Sequence, residues 1–278
     1  MSSEQASTKP RVRPTAVAGA FYPADAASLR TMVQRFLGEA AKRSGEAGMG
    51  LPRAIIAPHA GYSYSGPIAA SAYHRLLEGG QRYDRVLLIG PYHRVAFAGA
   101  ATSTADVFDT PLGQVPVDRA AVGQIEGLAF VQPLDEAHAR EHGLEVHLPL
   151  LIETLGRFSI VPVVVGDIAA DDVARIIETL WEGEEHARRT LVVISSDLSH
   201  YHDYETARRL DGATSRAIEN LSPQSIGSEQ ACGAVAIRAM LLVAQASHLD
   251  AHTLDLRNSG DTAGPRDQVV GYGAYVFD

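Results

Sequence analysis

Residues 190–200 read Thr190-Leu191-Val192-Val193-Ile194-Ser195-Ser196-Asp197-Leu198-Ser199-His200. An unbroken β-branched run that turns abruptly polar predicts a strand buried on both faces. Residues 53–57, 85–89, 159–165 and 269–277 have the same character, and residues 253–257 a weaker form of it. Helical patterns lie between them. Asp25 stands ahead of Leu29, Met32, Val33, Phe36 and Leu37 at helical spacing, the signature of a capped amphipathic helix. Residues 67–77, 146–155, 173–181 and 204–220 follow, and residues 234–244 are almost wholly apolar, hence a buried helix. Strands alternating with helices predict an α/β fold with a largely parallel central sheet flanked by helices on both faces.

No Pro-rich or Gly/Ser-rich linker divides the 278 residues, so 13–278 reads as a single domain behind a flexible polar arm at 1–12. The stretch 44–52 reads as a loop between a helix and a strand. A hydrophobic fraction of 46% with 21% charged residues fits a packed domain and not a disordered chain. The net charge is −9 and no Lys/Arg stripe appears, so neither nucleic acid nor an anionic membrane is an expected partner. No apolar run reaches the ~18 residues of a membrane span and no signal pattern opens the chain, so the expected location is cytoplasmic. The single cysteine, Cys232, allows no intrachain disulfide, in keeping with a reducing compartment.

In open α/β sheets, functional groups gather just past the carboxyl ends of the strands. Here residues 53–57 run into Pro58-His59-Ala60-Gly61-Tyr62, and residues 85–89 into Gly90-Pro91-Tyr92-His93. Residues 190–195 run into Ser196-Asp197-Leu198-Ser199-His200. A single loop histidine is more often a surface or hydrogen-bonded residue than a ligand. Three at equivalent topological positions point to convergence on one ion, because neutral imidazole is the commonest protein metal ligand. A fourth cluster, Glu141-His142 with Glu145 and His147, fits either such a site or a charged helix N-terminus opposing the macrodipole. His74, His186, His248 and His252 are expected to face solvent, and His138 and His202 stay open between the two readings. A lone cysteine such as Cys232 is, on burial rates, usually a small buried apolar residue. The sequence has no G-x-S-x-G elbow, no H-E-x-x-H, no P-loop and no dinucleotide fingerprint.

Seven segments occur in one order: Ala18-Gly19-Ala20-Phe21-Tyr22-Pro23, Pro58-His59-Ala60-Gly61-Tyr62-Ser63-Tyr64-Ser65-Gly66, Gly90-Pro91-Tyr92-His93, Glu141-His142-Gly143-Leu144-Glu145-Val146-His147-Leu148-Pro149, Ser195 to His200, Ala231-Cys232-Gly233 and Gly271-Tyr272-Gly273-Ala274-Tyr275. In this the chain resembles the Memo family from about residue 12 to the C-terminus. Tyr92 departs from the family pattern, which has a serine before the histidine; the change bears on pocket shape rather than on metal binding.

Memo proteins are similar to the class III extradiol dioxygenases, non-haem iron enzymes that open catechol rings. The resemblance therefore implies a metal ion on His59, His93 and Cys232, the cysteine standing where the dioxygenases have a carboxylate. It implies iron(II) first, with copper or zinc as alternatives because a thiolate is the softer ligand. His200 is expected as general acid/base, Asp197 as the group that orients it or the substrate, and His142 as a second proton carrier. Phe21, Tyr62 and Tyr64 are expected to wall the pocket, with Glu145 and His147 also lining it. The function implied is an iron(II)-dependent oxygenase-like activity on a small phenolic or other chelating substrate. The rival reading keeps the metal pocket without turnover, binding a small molecule or peptide, or serving a radical-SAM-associated modification system. A metal-dependent hydrolase using bound water ranks third. A homodimer is the default assembly, two-fold symmetry being the commonest.

Overall fold

The buried β-branched runs pair side by side at the centre of one large sheet, in a computed structural model that describes residues 9–43, 50–183 and 188–278. In chain order the elements are β1 (Val12–Arg13), α1 (Ala26–Ala41), β2 (Ala54–Ala57), α2 (Gly66–His74), a 3₁₀ segment at Arg75–Arg82, β3 (Arg85–Pro91), β4 (Ala100–Thr102), β5 (Val107–Phe108) and β6 (Val115–Pro116). They continue with α3 (Arg119–Ile125), β7 (Val131–Pro133), α4 (Asp135–Ala139), α5 (His142–Glu145), α6 (Leu148–Leu155), β8 (Ser159–Val165), α7 (Ala170–Trp181) and β9 (Thr190–Ser195). The last are β10 (His200–His202), α8 (Tyr204–Glu219), α9 (Ala234–Ala246), β11 (Ala251–Asn258) and β12 (Val269–Phe277). Asp25 caps α1 as its position suggests, accepting from the Ser28 amide at 2.8 Å.

The main sheet runs β10-β12-β2-β9-β3-β8-β4-β7, with β11 also paired to β12. Its centre, β2-β9-β3-β8, is parallel throughout. Every residue of β2 and β9 is buried, as a parallel sheet covered on both faces demands. Flanking pairs, β12 with β2 and β4 with β8, are antiparallel. Helices α1, α2 and α6 pack against one another, and in a second group α7 packs against both α3 and α9. A separate small sheet joins β1, β5 and β6.

Register sets up the site. Ala57 stands opposite Ser195 and Ile89 opposite Ile194, so β2, β9 and β3 finish side by side. The three histidine-bearing loops thus leave one rim of the sheet. Gly90 makes this convergence sterically feasible: a Cβ there would lie 2.9 Å from Leu144 Cδ2 and 3.1 Å from Ser195 Cβ.

Some expectations need correction. Of the arm expected at 1–12, residues 1–8 lie outside the described residues, but its end does not hang free: Val12 of β1 pairs with Val107 of β5. The proposed loop 44–52 lies outside the described residues over 44–49. The helix expected to reach residue 77 gives way to the 3₁₀ segment after His74. His74 is half-buried and its Nδ1 is enclosed, so it does not simply face solvent. His186 lies outside the described residues.

Candidate metal centre

His59 follows β2 and is almost wholly buried, at 2% exposure. Its ring Nδ1 lies 2.7 Å from Ser195 Oγ. That hydroxyl has one proton, which it donates to the Gly143 carbonyl at 2.5 Å. It must therefore accept from His59 Nδ1–H, which leaves His59 Nε2 as a bare lone pair. Nε2 in turn stands 3.4 Å from Cys232 Sγ.

His93 is set in the same way by a different partner. Glu141 Oε2 accepts from the His93 backbone amide at 2.8 Å, and Oε1 lies 2.7 Å from the ring Nδ1. Oε1 also accepts from the Gly143 amide at 2.8 Å. An ionised carboxylate only accepts, so His93 carries its proton on Nδ1 and offers Nε2. Burial alone would raise the Glu141 carboxyl, but the hydrogen bonds and nearby imidazoles outweigh it and bring the pKa down to about 2.

The thiol comes from a third segment. Cys232 lies just ahead of α9, and its Sγ accepts from the Asp197 amide at 3.2 Å. Gly233 must be glycine for this approach, since a Cβ there would lie 2.7 Å from Ser196 Cβ and 2.8 Å from the Ser195 carbonyl oxygen. Burial first, and the Asp197 carboxylate second, push the thiol up to about 12.

One ligand atom from each of His59, His93 and Cys232 can be chosen so that all lie within 4.8 Å of one another. The His59 and His93 rings are nearly perpendicular, with centroids 4.9 Å apart. Two Nε2 lone pairs with fixed tautomers, plus a sulfur, form a donor set that suits a transition metal. His93, Glu141 and His142 also satisfy the distance condition. Glu141, however, already spends both oxygens on His93 and Gly143, which makes it an orienting group.

His142 packs against Phe21 in a tilted arrangement, with centroids 4.8 Å apart, and lies 4.4 Å from the His93 ring. Burial, then the proximity of His93, lowers its pKa and keeps it neutral. His59 is held neutral more strongly, by burial and by the two neighbouring histidines. Asp197 Oδ1 accepts from the His59 amide at 2.8 Å, and its Oδ2 lies 4.0 Å from His59 Nε2. Burial pushes this carboxyl up.

His200 is half-buried in β10. Among the described residues its ring makes no hydrogen bond to Asp197; its close ring neighbour is Tyr201, 5.7 Å away. Tyr64 and Tyr92, both about two-fifths exposed, and Tyr201, 71% exposed, are among the exposed large apolar side chains. Each sits in a histidine-bearing segment. A cavity of ≈ 290 Å³ reaches Cys232 between Pro91, Tyr92, Val165 and Val235.

Three expected pocket residues belong to the scaffold instead. Tyr62 is 2% exposed and donates to the Val146 carbonyl at 2.7 Å. Glu145 is fully buried and accepts from the Ala16 and Val17 amides, from Tyr22 and from Arg13. His147 is fully buried against the Tyr73 hydroxyl, 2.8 Å from its Nδ1. His138, left open by sequence, is likewise internal, with Nε2 donating to the Ala101 carbonyl at 3.0 Å. Conversely, the roles of Ser195 and Glu141 as orienting partners were not legible, because their histidines lie 136 and 48 residues away in sequence.

A pair of tautomer-fixed histidines and a cysteine at the carboxyl rim of an α/β sheet define a candidate single-ion metal protein. The family model described as Memo-like protein matches residues 13–276, and the chain belongs to that family. A MEMO1 family protein of Aeropyrum pernix is 36% identical over 95% of this chain and 99% of its own length. One from Aquifex aeolicus is 34% identical over 96% and 99%. An uncharacterized protein from Escherichia coli K12 shares the fold, with a TM-score of 0.51 at 13% identity, covering 82% of this chain and all of that one. No helix among the described residues is long and apolar enough to cross a membrane.

Proposed function

We propose that this Memo-like protein binds one transition-metal ion through His59 Nε2, His93 Nε2 and Cys232 Sγ, and acts as an iron(II)-dependent oxygenase on a small phenolic or other chelating substrate. The observation that carries the reading is the pair of Nδ1 hydrogen bonds, to Ser195 and Glu141, which aim both lone pairs inward. Iron(II) in that donor set would supply open positions on which dioxygen and a chelating oxygen of the substrate meet.

The chain's own residues would do the rest. His142, neutral and packed against Phe21, would take a phenolic proton. Asp197, driven toward its neutral form by burial, would hold a proton beside His59 and return it. The cavity beside Cys232, lined by Pro91, Tyr92, Val165 and Val235, would receive a flat substrate. His200 would serve as a more distant proton relay, next to the exposed Tyr201.

A second reading rests on the sulfur. A thiolate favours zinc or copper over iron and is itself oxidisable, which suits a metal pocket that binds without turnover. Oxygen uptake decides between them. Protein loaded anaerobically with iron(II) is mixed with a panel of catechols and phenols. Dioxygen consumption matched to product supports the oxygenase; tight metal with no uptake across the panel supports the binding pocket.

A further inference from the structure

Arg13 is buried, with 5% of its surface exposed, although it stands at the start of the described domain. Its guanidinium makes four contacts to three acceptors on one segment, the one that carries Glu141 and His142. Nη1 pairs with the Glu145 carboxylate. Nη2 donates to the Glu141 carbonyl at 2.6 Å and the His138 carbonyl at 2.9 Å, and Nε donates to the His138 carbonyl at 3.1 Å. A planar fork of fixed donors can grip a carboxylate and two carbonyls at once; an ammonium cannot.

The grip is reciprocal. Glu145 takes the Ala16 amide at 2.7 Å and the Val17 amide at 3.0 Å, and also the Tyr22 hydroxyl. Residues 13–22 are thereby strapped to residues 138–145. Farther along the strap, the Phe21 carbonyl accepts from the Tyr62 amide at 2.7 Å, in the loop that carries His59. The Phe21 ring covers His142.

Glu141 is where this matters for the metal centre. Its carbonyl is held by Arg13, and its side chain holds the His93 amide, the His93 ring and the Gly143 amide. Fixing the Glu141 peptide fixes where the carboxylate points, and that carboxylate decides which nitrogen of His93 is bare. We propose that Arg13 is a positioning residue for the metal centre, acting through Glu141 on His93. The inference rests on the metal site proposed above. It makes the strap a working part of the site: ligand geometry is set in part by residues that touch neither metal nor substrate.

The test is a cobalt(II) titration of the full chain, read by the thiolate-to-metal absorption band. Arg13→Lys keeps the charge beside Glu145 but loses the fork, and is expected to weaken cobalt binding by about 10-fold, the lower end of what loss of a direct outer partner of a ligand costs, since Arg13 acts one step further out. Leu29→Ala, in the fully buried core of α1, serves as the stability control and is expected to lower the melting temperature while leaving cobalt affinity within about twofold. Should Arg13→Lys fail to fold, Arg13→Met combined with Glu145→Gln removes both buried charges together, and the same weakening is expected. Affinity unchanged in a folded Arg13 variant overturns the proposal, as does an equal loss in Leu29→Ala. A wild-type protein that shows no thiolate–cobalt band refutes the metal site itself, a result separate from either.

Discussion

Glu141 holds His93 at two points, with one carboxylate oxygen on the backbone amide at 2.8 Å and the other on ring Nδ1 at 2.7 Å. A residue held in this way cannot rotate its ring without breaking a charge-assisted hydrogen bond. The same carboxylate spans to the Gly143 amide, so a single side chain holds both His93 and the Gly143 turn.

Glu141→Gln should therefore weaken metal binding by about 10- to 100-fold, because an amide can present a donor to Nδ1 and favour the opposite tautomer. Zinc competition titration measures it. Wild-type affinity in this variant would show that the His93 tautomer does not depend on Glu141.

Ser195→Ala removes the acceptor for His59 Nδ1 and leaves the Gly143 carbonyl unpaired. A stability loss of about 1–3 kcal/mol is expected from the orphaned buried carbonyl. Metal affinity should fall by about tenfold or more as the ring loses its orientation. Denaturant unfolding of the apo protein and metal titration read the two effects independently.

Metal affinity should rise with pH through neutrality. The Cys232 thiol, pushed up to about 12, is protonated there, so binding must expel its proton. Each unit of pH should strengthen binding by about tenfold. His59 adds no slope near pH 7, since burial holds it neutral well below its ordinary range. Competition titrations over about two pH units test this, and a flat profile would argue against thiolate ligation.

Two histidines outside the centre should make the fold acid-sensitive. Burial lowers His138 to about 4 and, with help from His59 and His142, His147 to about 3. Between these values and the ordinary histidine range the unfolded chain binds more protons than the folded one, so stability rises with pH in that window and is lost as pH falls. For His138 the loss amounts to about 3 kcal/mol. Urea unfolding from about pH 7 down to about pH 4 should show it, and His138→Gln should flatten part of the slope.

The strands that form the centre of the sheet were legible because each is an unbroken buried run; β4, β5, β6 and β7 are only two or three residues long and carry no period. That His59 and His93 leave neighbouring strand ends was legible from the buried runs before them. Cys232 was not: nothing local distinguishes it from a packing cysteine, and only the ordered motifs of the family single it out. Tyr62, Glu145 and His147 were misplaced for the converse reason. A polar residue within a motif says nothing about which way it points, and these three turn into the scaffold. The orienting partners depend on sheet register, which brings Ser195 beside Ala57 and hence under His59.

Metal content of the purified protein bears most directly on the central claim. Protein prepared without oxygen is assayed for iron, copper and zinc, alongside His59→Ala and Cys232→Ser. The account predicts about one equivalent in the wild type, as a single mononuclear site requires, and near-complete loss in both variants while each stays folded. Metal content unchanged by both substitutions would contradict it.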